Sequence, residues 1–150
     1  MPQLFDAVTA TQITSRIDLL NANAQPHWGK MNVTQMMAHC SVTFENFFGE
    51  RKVKRGIMSY LFGKIAKKTA FKEGKEFGKN LPTAREYKIV NAGDLQHEKT
   101  RLKNLIHRFS VLGPTMEKVS EHPFFGKLTA QEWATLAYKH LDHHLRQFGV

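Results

Sequence analysis

The chain has 150 residues, and its 22 Lys and Arg against 13 Asp and Glu give a formal net charge of +9 at pH 7. This length favours one domain over residues 1–150, and a composition of 41% hydrophobic and 23% charged residues excludes wholesale disorder. A single cysteine, Cys40, excludes an internal disulfide, and no stretch resembles a leader peptide or a membrane span, so we expect a cytoplasmic protein.

The first half of the chain contains two stretches with the apolar spacing of amphipathic helices. The first covers about residues 11–24, where apolar side chains recur at intervals of four and three, at Ile13, Ile17 and Leu20. The second begins after Asn32, which with Gln35 forms a capping box, and it ends at Gly49, a residue suited to a left-handed stop.

The connection that follows carries most of the positive charge. Residues 51–79, the basic segment, contain ten Lys and Arg against two acidic residues and so hold +8 of the +9. A shorter helix is predicted over residues 57–67 and a loop over 73–90, in which 85–90 is the only strand-like run. A solvated basic face is the simplest interpretation. Non-enzymatic binding of nucleic acid or of an anionic surface such as a membrane remains an alternative.

Two further helices complete the pattern. One begins at Asp94 and ends at Gly113, and the other opens with a capping box, Thr129 and Glu132, and continues to the C-terminus. Four long amphipathic helices predict an all-α fold, an antiparallel four-helix bundle with the basic segment inserted between the second and third long helices.

The histidines of the last helix point to a metal site. His140 and His144 lie one turn apart within the apolar stripe, whereas His143 falls at its margin. Buried imidazoles need partners, and a shared metal ion is the simplest one, with hydrogen-bonded core histidines as the alternative. His39 on the second helix is the candidate third ligand. Cys40 is predicted to be a core residue, because neighbouring helical side chains diverge by about 100°.

Several motifs together resemble the DinB-like (YfiT-like) superfamily. The resemblance lies in the turn PHWGKM and the helix MMAHC, and in a C-terminal HPFFG followed by KHLDHHLRQFG, which is typical of an uncharacterised branch. It spans nearly the whole chain. It implies a four-helix bundle that binds a divalent metal through one histidine of the second helix and two of the last, here His39, His140 and His144. It also implies a homodimer, although no part of the sequence identifies an interface.

Such a site is compatible with two reactions, thiol transfer and hydrolysis. Three histidines without a carboxylate suit zinc or nickel and leave a position for water or substrate. Some superfamily members transfer low-molecular-weight thiols to small electrophiles, and others are described as hydrolases. Hydrolysis usually needs a general base, but Glu45 lies off the His39 face of its helix and Asp142 lies off the apolar stripe, so thiol transfer to a small-molecule substrate is favoured.

Four residues are predicted to contact the substrate, and no catalytic residue is assigned. Asn46 shares the face of His39 and is suited to orienting a ligand, while three aromatic side chains are suited to lining a pocket: Trp28, Phe124 and Phe125. Ordinary packing is the alternative role for each of the four.

Overall fold

The computed structural model describes residues 1–150 and is all-helical, which confirms the predicted fold class. Five helices follow one another: α1 (Ala7–Leu19), α2 (Val33–Phe47), α3 (Ile57–Ala70), α4 (Leu95–Leu112) and α5 (Ala130–Gln147). Two 3₁₀ turns cover Arg85–Tyr87 and Gly113–Thr115, and the only β-type pairing is one bridge between His122 and Gly126. None of the helices combines the length and the apolar character needed to cross a bilayer.

Helices α1, α2, α4 and α5 form a four-helix bundle in which α2 contacts both α4 and α5. α2 and α5 are antiparallel, because Phe47 near the end of α2 lies 5.6 Å, ring to ring, from Trp133 near the start of α5. α1 and α4 are also antiparallel, with ion-pair contact between Asp18 and Lys103 and ring contact between Phe5 and Phe109.

The neighbours α2 and α4 run in the same direction. Ion pairs join Glu45 of α2 to Arg101 of α4 and, further along the chain in each case, Glu50 just after α2 to Arg108 of α4. A parallel neighbour requires a connection that returns the chain to the other end of the bundle, and residues 48–94 supply it. The basic segment and α3 are therefore a crossover laid on the outside of the bundle.

The core is one continuous cluster of 22 buried apolar side chains drawn from all four bundle helices and their connections. Its centre is aromatic: the ring of Phe109 lies 4.6 Å from Phe47 and 5.2 Å from Phe44, both in tilted or edge-on geometries that aromatic pairs prefer. Cys40 belongs to this cluster and is fully buried, as predicted.

The first helix begins and ends earlier than residues 11–24, the predicted range. Asp6 caps its N-terminus by accepting a hydrogen bond from the amide of Thr9 at 2.9 Å, so the helix starts at Ala7. At the other end the backbone of Leu20 is already extended, and the buried ammonium of Lys99 donates a hydrogen bond to the carbonyl oxygen of Leu20 at 2.9 Å. A tertiary contact therefore ends α1 where local sequence permitted it to continue.

The other helix boundaries agree more closely with the sequence. Both predicted capping boxes are formed, at Asn32 with Gln35 and at Thr129 with Glu132, and Gly49 has a left-handed φ of +75°. α3 continues three residues beyond its predicted end. The loop predicted over residues 73–90 is confirmed: its strand-like run over residues 85–90 forms no strand, and Arg85–Tyr87 form a 3₁₀ turn within it.

Candidate metal centre

Three histidines meet where α2 crosses α5. His39 lies in the middle of α2, and His140 and His144 lie one turn apart on α5. Their rings are 4.7–5.0 Å apart, centroid to centroid, in edge-on arrangements. One ligand atom from each of the three lies within 4.8 Å of the others, so the histidine triad could hold a metal ion.

The atoms that approach are the Nε2 nitrogens. His140 Nε2 lies 3.0 Å from His39 Nε2 and 3.2 Å from His144 Nε2, which makes His140 the central member of the triad. His39 and His144 are buried, whereas His140 is partly exposed. His140 is thus the least buried residue of the triad.

Each ring also has a hydrogen-bond partner at its Nδ1 nitrogen, on the side of the ring away from the other histidines. His39 Nδ1 lies 2.9 Å from the carbonyl oxygen of Tyr87, and His144 Nδ1 lies 2.8 Å from the side-chain oxygen of Gln147. His140 Nδ1 lies 3.2 Å from the hydroxyl of Thr43. Partners of this kind fix the orientation of histidines that bind metals in other proteins.

These partners determine where two of the protons lie. The carbonyl of Tyr87 can only accept, so Nδ1 of His39 donates and its Nε2 is bare. Gln147 uses its amide nitrogen to donate to the carbonyl of Trp28, which leaves its oxygen to accept from Nδ1 of His144. The neutral His144 therefore also presents a bare Nε2 toward His140.

His140 differs because a hydroxyl can either donate or accept. In a metal-free chain the Thr43 hydroxyl can donate to Nδ1 of His140, whose Nε2–H then donates to one of the two bare nitrogens. A bound cation would require the other tautomer of His140, in which Nδ1 donates to Thr43 and the Nε2 lone pairs of all three histidines face the ion. The two states thus differ in the tautomer of His140.

The surroundings keep all three imidazoles neutral. Burial lowers the pKa of His39 and of His144, the latter to about 3, and burial together with the neighbouring histidines places the pKa of His140 well below its ordinary value. Neutral imidazole is the form that binds metal. Protons therefore compete weakly for this site at neutral pH.

We expect Thr43→Val to weaken metal binding without unfolding the protein. Valine has nearly the shape of threonine but cannot accept the Nδ1 proton of His140, and loss of such a partner typically lowers metal affinity about 10–100-fold. Titration with zinc in the presence of a competing chelator measures this change. Thr135→Val, a substitution of a buried threonine elsewhere on α5, is the matched control. Equal affinities of all three proteins would show that Thr43 does not position His140.

Of the predicted substrate residues, Trp28 and Asn46 lie on elements that border the triad. Trp28 packs edge-on against His143 at 5.6 Å between ring centroids, and its carbonyl accepts from Gln147. Asn46 is buried and donates to the carbonyl of Arg51 at 3.2 Å, while its side-chain oxygen has no hydrogen-bond partner. Their roles toward a substrate stay predictions.

Phe124 and Phe125 lie in the turn between residues 122 and 126. Phe124 is 38% exposed, and its carbonyl accepts from Ser59 of α3 at 2.8 Å, whereas Phe125 packs on the ring of His122. His122 caps this turn by accepting both of their amide protons at Nδ1, each at 3.1 Å. The structure thus gives these two phenylalanines packing contacts, and their part in substrate binding stays a prediction.

The nearby carboxylates and the cysteine make their contacts with groups outside the triad. Glu45 pairs with Arg51 at 3.3 Å and with Arg101, and Asp142 pairs with Arg16 at 2.8 Å. Burial raises the pKa of the Cys40 thiol, whose sulfur contacts Met36. None of these groups belongs to the triad, in agreement with the sequence analysis.

Sequence reasoning missed the three groups that hold the rings. Thr43 follows His39 by four residues and Gln147 follows His144 by three, so helical spacing places each on the same face as its histidine and could have identified it. Tyr87 gives no such signal, because it reaches His39 from a 3₁₀ turn 48 residues further along the chain.

The fold and the triad together define a helical-bundle protein with a three-histidine centre that could hold a metal ion. The chain belongs to the family described as "Protein of unknown function (DUF1569)", whose family model matches residues 5–149. No curated protein and no solved structure matches the chain.

Proposed function

We propose that His39, His140 and His144 bind one divalent ion, zinc or nickel, and that the protein is a metal-dependent transferase acting with a low-molecular-weight thiol on a small electrophile. The observation that carries this proposal is the convergence of three neutral Nε2 nitrogens, each fixed from behind. The resemblance to the DinB-like superfamily implies the same ligands and reaction class, and membership of that superfamily is part of the proposal.

The donor set fits such an ion. Zinc–nitrogen bonds of about 2.0–2.1 Å in tetrahedral geometry separate neighbouring nitrogens by roughly 3.3 Å. The two separations around His140 are 3.0 and 3.2 Å. Imidazole suits zinc and nickel, and a site with three protein ligands keeps a position for an exchangeable molecule.

When bound, such an ion supplies a Lewis acid at which the pKa of a thiol or of a water molecule is lowered. The three histidine ligands are neutral, so they leave the positive charge uncompensated and favour an anionic fourth partner. We infer that this partner approaches from the side of His140, the least buried residue of the triad. Both thiol transfer and hydrolysis are consistent with these properties.

The residues around the triad favour thiol transfer. Hydrolysis needs a general base beside the attacking water, but Glu45 and Asp142 are held in ion pairs with arginines. The only protein thiol, Cys40, is fully buried and protonated, so the nucleophile must come from a cosubstrate. In the reaction the cosubstrate thiol releases its proton to solvent, its sulfur forms a bond to the electrophilic carbon, and the leaving group departs with the bonding electron pair.

Two buried polar atoms are suited to contacting the electrophile. The side-chain oxygen of Asn46 and the hydroxyl of Tyr87 are buried without hydrogen-bond partners, and the Tyr87 ring lies 6.0 Å from that of His39. Buried polar atoms in proteins normally have partners. We assign them to polar groups of the substrate, with Trp28 as an apolar wall.

The test is an assay of thiol conjugation by protein purified without a nickel column and loaded with zinc or nickel. Bacillithiol, mycothiol and glutathione are each incubated with chlorodinitrobenzene, and thioether formation is recorded. We expect metal-dependent turnover with at least one thiol, lost in His140→Ala and retained in His107→Ala, which alters an exposed histidine. Metal-dependent hydrolysis of nitrophenyl esters without any thiol would instead establish the hydrolase alternative.

A further inference from the structure

Helix α3 packs on the bundle with its small side chains. The residues it buries are Ser59, Gly63 and Ala70. At Gly63 the backbone of α3 approaches so closely that a β-carbon would collide with the carbonyl oxygen of Phe124. The contact at this position therefore depends on the absence of a side chain.

The large apolar side chains of α3 face away from the protein. An amphipathic helix of a monomeric protein ordinarily buries its apolar stripe. In α3 this arrangement is inverted, because the stripe is 48–77% exposed and consists of Ile57, Met58, Leu61, Phe62 and Ile65, with Tyr60 beside it at 67%. Contiguous exposed apolar surface of this kind marks an interaction site.

Polar contacts hold the helix in this orientation. Ser59 donates its hydroxyl to the carbonyl of Phe124 at 2.8 Å, and Lys67 forms an ion pair with Glu132 of α5 at 2.8 Å. Lys139 of α5 donates to the carbonyl of Ala70 at the end of α3. Rotating the helix to turn the stripe inward would break all three contacts, so these contacts keep the stripe exposed.

The surface around the stripe is strongly basic. Three of the ten cationic residues of the basic segment are ion-paired, namely Arg51, Arg55 and Lys67. The other seven are exposed lysines that form no ion pair: Lys52, Lys54, Lys64, Lys68, Lys72, Lys75 and Lys79. Lys64 and Lys68 lie on the same side of α3 as Ile57 and Leu61, since their helical positions differ by at most about 40–60°.

An apolar stripe among unpaired lysines matches one kind of partner. A second copy packed face to face would bring Lys64 and Lys68 against lysines of the same set, which is repulsive. Nucleic acid would satisfy the lysines but not cover five aliphatic and aromatic side chains. An anionic bilayer does both, because acyl chains receive the stripe while phosphate headgroups pair with the lysine ammonium groups.

We propose that α3 docks the protein on an anionic phospholipid surface, with the helix lying in the interface plane. This inference is independent of the metal centre. The probe is vesicles of phosphatidylcholine with phosphatidylglycerol, compared with phosphatidylcholine alone, in cosedimentation with the full chain. We expect binding only to the anionic vesicles, weakened by added salt because screening reduces the lysine contribution.

Two pairs of substitutions separate the apolar and the charge contributions. Leu61→Gln with Ile65→Gln should reduce partition at least about tenfold, and Lys64→Gln with Lys68→Gln roughly 30-fold. All four positions are exposed or outward-facing, so the fold is retained. Val111→Gln and Lys118→Gln, at exposed sites outside the basic segment, should leave partition unchanged.

Four results would overturn the proposal. Equal binding to neutral and anionic vesicles, or no binding to either, excludes a charge-dependent lipid surface. A stable dimer on size-exclusion chromatography that Leu61→Gln with Ile65→Gln dissociates assigns the stripe to a second copy. Salt-dependent binding of duplex DNA without vesicle binding assigns the lysines to nucleic acid.

Metal content measured on the same samples shows separately whether the histidine triad is intact.

Discussion

His140→Ala is expected to abolish metal binding while leaving the bundle folded. His140 is the member of the triad that lies within 3.0–3.2 Å of both others, so its removal leaves two nitrogens with no shared neighbour. Structural zinc sites contribute about 10–16 kcal/mol in total, so one ligand of several corresponds to roughly a 10³-fold loss of affinity. Wild-type protein should carry about one equivalent of zinc or nickel, and the variant none.

The fold should survive because His140 is partly exposed and no core side chain depends on its ring. Elemental analysis of protein purified without a nickel column, together with circular dichroism, measures both quantities. His107→Ala, which removes an exposed histidine from α4, should retain the metal. Unchanged metal content in His140→Ala, or no metal in the wild type after incubation with zinc and nickel, would mean that the triad is structural.

The histidine triad could be predicted from the sequence because the face on which each histidine lies is set by the local sequence of its own helix. The spacing of His140 and His144 fixes both on one face of α5, and the apolar stripe around His39 fixes the face of α2 that meets it. Helical phase is an intrinsic property of a segment, and capping boxes confirm where each helix begins. Two phased helices that share one core have few ways to pack.

What the sequence could not supply depends on tertiary contacts. Tyr87 reaches His39 from the crossover, whose route is set by packing and not by a periodic pattern. The early end of α1 follows from Lys99 of α4. The outward direction of the α3 stripe follows from Gly63 against Phe124, whereas the sequence pattern left open whether this segment contacts an anionic surface.

Acid should destabilise the metal-free protein well above the pH at which its carboxylates titrate. Burial lowers the pKa of both His122 and His144 to about 3 in the folded chain, whereas an unfolded histidine titrates near 6.5. Below about pH 6.5 the unfolded state therefore binds protons that the folded state cannot. The free energy of unfolding then falls by up to about 1.4 kcal/mol per pH unit for each histidine.

The expected result is a melting temperature of the metal-free protein roughly 10 °C lower at pH 5 than at pH 7. Carboxylates with lowered pKa, such as that of Glu132, act only at more acidic pH and do not contribute in this window. Replacing one titrating imidazole in His144→Gln should flatten the dependence, and His107→Ala should not change it. A melting temperature that is constant between pH 7 and 5 would contradict the neutral, buried state of these histidines.

Zinc or nickel should oppose this acid destabilisation. An ion that binds only the folded chain adds about 2.7 kcal/mol of stability when its free concentration is 100 times the dissociation constant. The buried imidazoles are already neutral at pH 6, so binding requires little proton release and the added stability should persist where an exposed histidine site would have lost its metal. Melting curves recorded with and without metal across this range, in the wild type and in His140→Ala, measure the difference. A metal-induced shift of equal size in both proteins would place the bound ion outside the triad.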